Sequence, residues 1–173
     1  PPAGFASHDD ALAYVQGAAD AGLDHLVTAD HVAFFDGRGM DGLMTVSWLA
    51  GLHPTIGVYV GVYPLALRHP VAVARQVATL AGHAPGRLTL GVGVGGEDRH
   101  EMEVVGVDPT TRGRRTDEAL AVLRPLLAGE AVDHPPPSVP PLYGQRHAGA
   151  NYGVVPGCGA RCTTNCKDCA VWR

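Results

Sequence analysis

Apolar residues recur along this chain in two alternating rhythms, one near 3.6 residues and one of two, with glycine and proline marking most of the changes between them. Ser7 or His8 is placed to cap a first helix over residues 9–21, with Leu12, Val15, Ala18 and Ala19 on one face and Gly22 after its end. The run HLVTA at 25–29 reads as a short strand that delivers Asp30 and His31 at its carboxyl end. A second helix is predicted over 43–52 and a second strand over TIGVYVGVY, 55–63, which Pro64 keeps from simply continuing. Pro70 suits the first turn of a third helix that turns Val73, Val77, Leu80 and Ala81 inward and Arg75, Gln76 and Thr79 outward. Gly82 and the Pro85-Gly86 pair are its stop signals. Leu88, Leu90, Val92 and Val94 then alternate with small or polar residues, a strand that ends in Gly95-Gly96-Glu97.

Beyond this strand the pattern loosens. Residues 98–115 are polar and read as a long loop with room for a helical turn, and Thr116 with Asp117 and Glu118 marks the start of a helix through Leu127. Pro125 is expected to kink or shorten that helix, and Gly129 to close it. After His134 the character changes: PPPSVPP predicts extended polyproline, and the rest has no helical or strand period. The chain therefore divides into an ordered unit, 1–134, and an irregular Pro-, Gly- and Cys-rich tail, 135–173.

Asp30, Val62 and Val94 lie 32 positions apart, about the length of one strand, helix and connection. Such alternation predicts an α/β fold of parallel strands with right-handed crossovers, in which ligands sit beyond the carboxyl ends of the strands. His31, Tyr63 and Glu97 would then share one rim.

Composition narrows the function classes. A net charge of −4 gives no basic field for nucleic acid, and no apolar run reaches the roughly 18 residues that span a membrane. The chain opens PPAGFASHDD without a targeting pattern and reads as clipped. Its four cysteines all follow position 157, which fits a reducing cytoplasm. Cys158, Cys162, Cys166 and Cys169 are spaced closely enough to ligate zinc or an iron–sulfur cluster, the alternative being an unstructured or disulfide-forming tail. At 173 residues the chain falls short of a complete barrel of alternating strands and helices, which needs about 250.

His31 is the leading catalytic candidate, because an imidazole titrates near neutrality and can give or take a proton. Its competing role is a backbone hydrogen-bond partner at a strand end. Asp30 serves equally to hold the imidazole tautomer or to cap the next loop. Gly91, Gly93 and Gly95 strip side chains from one strand face, making room for a planar ring or for tight packing. The spacing GxGxxG is met by Gly91, Gly93 and Gly96, but no helix starts at the third glycine, so it is not a dinucleotide fingerprint.

ADHV at 29–32, LRHPVAVARQVATL at 67–80, GRLTLGVGVGGEDRHE at 86–101 and TRGRRTDEAL at 111–120 together resemble the bacterial luciferase-like class of flavin- or coenzyme F420-dependent oxidoreductases. The resemblance implies an eight-stranded (β/α) barrel, of which about half is recognisable over 4–134. It further implies FMN or F420 at the carboxyl rim, a small organic substrate, and oxidoreductase or monooxygenase activity. Carried over by motif, Asp30, Gly61, Val62, Gly95, Gly96 and His100 would meet the cofactor, with a non-proline cis peptide at Gly61-Val62, and His31 and Glu97 would be catalytic. Open strand edges in a partial barrel call for cover by a second copy or another chain. The alternative is a non-catalytic half-barrel remnant or partner subunit, with a metal-binding cysteine tail.

Overall fold

The computed structural model of the protein describes residues 5, 7–33, 39–134 and 150–152. Three parallel strands, β1 (His25–Thr28), β2 (Gly57–Pro64) and β3 (Leu88–Gly93), form a sheet in that order. In the β1–β2 register His25 stands opposite Gly57 and Thr28 opposite Val60, an offset of 32 residues that matches the sequence period. Between β2 and β3 the offset is 30, Val58 opposite Leu88, and it slips by one across Gly61 and Tyr63. This is an α/β arrangement, part of a (β/α) barrel.

Helices cover one face of the sheet. They are α1 (His8–Asp20), α2 (Gly42–Leu52), α3 (Pro70–His83) and α5 (Arg112–Leu127). Val15, Leu26, Val46, Leu49, Val58, Val60, Val73, Val77, Val122 and Leu126 from these elements and the strands form one buried cluster. Each such side chain contributes about 1.5–3 kcal/mol by leaving water. Arg87 ties the base of this layer together: its guanidinium donates to the carbonyls of Ala50 (3.0 Å), His53 (2.6 Å) and Ile56 (3.2 Å), which lie at or just beyond the end of α2. Those carbonyls have no further helical turn to bond, so the half-buried guanidinium fork is their natural partner.

The helix boundaries follow local chemistry. Ser7 accepts from the Asp10 amide at α1, Asp41 from the Met44 amide at α2, and His69 from the Val71 amide at α3. Several expectations are corrected. Leu12 is exposed, because the inward stripe of α1 is Ala11, Val15 and Ala18. Gly82 does not stop α3, which runs to His83 and leaves Ala81 exposed; the chain turns at Ala84-Pro85-Gly86, where Gly86 has a φ of +71°.

The segment expected as a loop holds a short helix, α4 (Arg99–Val104), and a 3₁₀ turn, Pro109–Thr111, capped by Asp108. That turn starts α5 at Arg112 rather than at Thr116, whose hydroxyl instead donates back to the Arg112 carbonyl at 2.8 Å. Pro125 does not cut α5 short, since the helix continues to Leu127 and closes at Gly129 with a φ of +83°. Within the stretch read as irregular, β5 (Ala150–Tyr152) pairs antiparallel with β4 (Val132–His134). The four cysteines lie outside the described residues. No helix among the described residues is long and apolar enough to cross a membrane.

Candidate functional site

The two faces of the sheet differ. Val58 and Val60 point into the helical layer, while Val27 and Val62 are about half exposed on the other side. On that open face, side chains lie where glycines leave space. A Cβ on Gly91 would come within 2.6 Å of the Tyr59 hydroxyl, and one on Gly61 within 3.1 Å of the Tyr59 ring. A Cβ on Gly93 would strike Val62 in the same way. Glycines 91 and 93 therefore leave the space that Tyr59 and Val62 fill. Val94 follows, half exposed, and then Gly95 and Gly96 with φ of +67° and +105°, both open to solvent. Only glycine takes consecutive conformations of this kind without steric cost. The result is a shelf of apolar side chains beside bare backbone at the carboxyl end of β3. The Gly61-Val62 peptide bond is cis, as the resemblance implies.

Asp30 and His31 leave the end of β1 in different directions. Asp30 is 2% exposed, and its Oδ1 accepts from the Gly42 amide at 2.6 Å and from Arg68 Nη2 at 3.0 Å. Arg68 Nη1 stands 2.6 Å from Asp30 Oδ2, Nη2 reaches Asp41 at 3.4 Å, and the guanidinium lies over the Tyr63 ring at 4.4 Å. Burial pushes the Asp30 carboxyl above the ordinary carboxylate range, against the lowering pull of the Gly42 amide and of Arg68. Burial likewise pushes the Tyr63 phenol well above its ordinary value, opposed by Arg68. Of the two roles open to Asp30, the observed one is to tie the start of α2 to β1.

His31 instead faces α4. Its Nδ1 is 3.5 Å from Oε1 of Glu101, a carboxylate whose residue is only 4% exposed. The same Oε1 accepts from the amides of Val32 and Ala33, the second at 3.3 Å. The His31 amide donates to the Met40 carbonyl at 3.1 Å, and Gly39, with a φ of +121°, sits so close that a Cβ there would lie 2.7 Å from the His31 Cβ. The Nδ1 atom is buried although the side chain is 24% exposed, so the exposure comes from the rest of the residue.

The remaining candidates divide. Gly61, Val62, Gly95 and Gly96 border the shelf. Glu97 is exposed in the loop after β3, and His100 is exposed in the first turn of α4. Asp98, one residue on, is buried and accepts from the His100 amide at 2.9 Å to cap α4. Tyr63, expected on the rim, is buried behind it. Sequence reasoning did not single out Arg68, Glu101, Gly39 or Gly42. The first two stand inside the quoted motifs LRHP and EDRHE, where an arginine or acid amid apolar or capping residues was the available signal. No group of three or more metal-ligating side chains occurs among the described residues.

Residues 2–147 match the family model for luciferase-like monooxygenase. The chain is 37% identical over 129 residues to an F420-dependent glucose-6-phosphate dehydrogenase of Beutenbergia cavernae, covering 71% of this chain and 38% of that protein. It is 41% identical over 70 residues to a 4-hydroxyprotoasukamycin monooxygenase of Streptomyces nodosus subsp. asukaensis, covering 40% of this chain and 19% of that protein. Its fold resembles the oxygenating constituent of 3,6-diketocamphane monooxygenase from Pseudomonas putida, solved with FMN: the TM-score is 0.66 at 17% identity, covering 83% of this chain and 38% of that one. The chain thus spans well under half the length of each of these proteins.

Proposed function

The chain belongs to the luciferase-like monooxygenase family, and from that premise we propose that it is part of a flavin- or F420-dependent oxidoreductase acting on a small organic substrate. The observation that carries this reading is the juxtaposition at one strand-end rim: a half-exposed apolar shelf bordered by Val62, Gly95 and Gly96, and an imidazole held at the end of the neighbouring strand. The shelf suits a flat ring, since Tyr59 and Val62 pack closely over the glycines of β2 and β3 and the Gly95-Gly96 backbone carries no side chain of its own to lift a ring away. FMN or F420, when bound, supplies the hydride chemistry.

The chain's own residues supply placement and the proton. Val62 and the Gly61-Val62 backbone form the shelf, Gly95 and Gly96 let backbone approach a ligand closely, and His100 is exposed beside them. Asp30 contributes indirectly, since its carboxylate is engaged by Arg68 and Gly42 and fixes the loop that carries His31. His31 accepts or donates the proton as the substrate changes oxidation state, and Glu97, exposed in the loop after β3, is the second proton-transferring group. The unpaired outer edges of β1 and β3, among the described residues, favour cover by a second copy or another chain. The absence of cysteine before position 158 favours the cytoplasm.

The test is turnover of a panel of alcohols, aldehydes and ketones with F420 or with reduced FMN, followed through cofactor absorbance. His31→Ala should lower kcat by about 10²–10⁴-fold, the usual contribution of a positioned acid or base. Turnover unchanged in that variant removes the role assigned to His31.

A further inference from the structure

Building on the reading of His31 as the proton-transferring group, we propose that Glu101 is its positioning residue: the Glu101 carboxylate keeps Nδ1 of the imidazole turned inward and protonated, so that Nε2 is the nitrogen offered to substrate. Three observations converge on it. Glu101 is 4% exposed, and a carboxylate so buried must be compensated by donors. Two of those donors are the amides of Val32 and Ala33, the residues that follow His31, so Glu101 fixes the backbone that carries the imidazole as well as facing the ring. Its Oε1 is also 3.5 Å from Nδ1, the buried ring nitrogen.

The acid next to His31 in sequence does not take this place. Asp30 is committed to Arg68 and to the Gly42 amide. Met40 and Gly39 hold the His31 backbone and Cβ from another side, which restricts how far the ring can swing away from α4. A carboxylate accepts only, so beside a neutral imidazole it favours the tautomer with hydrogen on the facing nitrogen. A carboxamide also donates. Glu101→Gln therefore retains an oxygen for the Val32 and Ala33 amides and can present its NH₂ to Nδ1, favouring the opposite tautomer.

The experiment is a long-range ¹H–¹⁵N correlation spectrum of the chain labelled in its histidines, with the His31 signals assigned by their loss in His31→Gln. At a pH where the ring is neutral, the wild-type shifts should be those of Nδ1–H, and Glu101→Gln should move them toward Nε2–H. A wild-type spectrum already of the Nε2–H form overturns the proposal without any variant, as do shifts identical in wild type and Glu101→Gln. Kinetics separates the two readings. Loss of the tautomer preference with a lowered kcat and unchanged KM supports positioning, whereas a tautomer switch in a protein whose turnover ignores His31→Ala leaves the positioning intact and discards the catalytic role.

Discussion

Arg68 reaches back across 38 residues of chain to Asp30, with Nη1 2.6 Å from Oδ2 and Nη2 3.0 Å from Oδ1. The pair joins the end of β1 to the turn that follows β2, and it uses up the carboxylate that otherwise would stand beside His31. A buried pair of this kind is costly to break from one side, because the surviving charge is left without compensation. Arg68→Met should therefore lower stability by about 3–5 kcal/mol in urea unfolding. Adding Asp30→Asn to Arg68→Met should restore much of that loss, since the double variant has no stranded charge. A double variant no more stable than Arg68→Met alone would show that the pair is not the source of the effect.

The pH dependence at Asp30 has a definite sign. Its carboxyl is raised above the ordinary 3.8 in the folded protein, mainly by burial. The folded state therefore holds this proton more tightly than the unfolded one, and the slope of stability with pH is negative for this group. Its contribution is fully present below 3.8 and is lost as pH rises through the folded value. In urea titrations at a series of pH values, wild type should lose ground to Asp30→Asn as pH rises through that window. A gap that moves toward wild type instead would mean that the Arg68 and Gly42 contacts outweigh burial.

Gly39 carries a prediction about geometry rather than charge. With a φ of +121° and the His31 Cβ close by, it has no room for a side chain. Gly39→Ala should cost about 1–3 kcal/mol, the scale of a non-glycine residue in a sparsely populated backbone region. It should also shift the His31 ring signals, while the same change at Gly17, which has open space around its Cα, leaves them unmoved. His31 signals untouched in Gly39→Ala would show that the loop gives way without moving the imidazole.

Strand and helix order could be read from the sequence because period and punctuation agreed. Val73, Val77 and Leu80 are buried as their spacing predicts, and Gly129 closes α5. Gly82 and Thr116 were judged by intrinsic preference, but a single glycine only weakens a helix, so α3 runs on to His83, and the Asp108-capped turn starts α5 at Arg112, which leaves Thr116 buried inside the helix. At the site, Asp30 and His31 were visible from their position at a strand end. Their partners were not, since Arg68 and Glu101 are 38 and 70 residues distant from Asp30 and His31 in the chain and meet them only when the parallel strands align. No periodicity encodes a contact of that kind. Glu97 illustrates the converse: its motif position drew notice, but the buried acid that faces His31 is Glu101, in the α4 helix that follows.

The most direct test of the account is an equilibrium titration of FMN and of F420 with this chain, each followed by the cofactor's own fluorescence. The account predicts a saturable change with at least one of the two, weakened when a Val62→Glu substitution places a charge on the shelf. Fluorescence unchanged for both cofactors across the titration would contradict it.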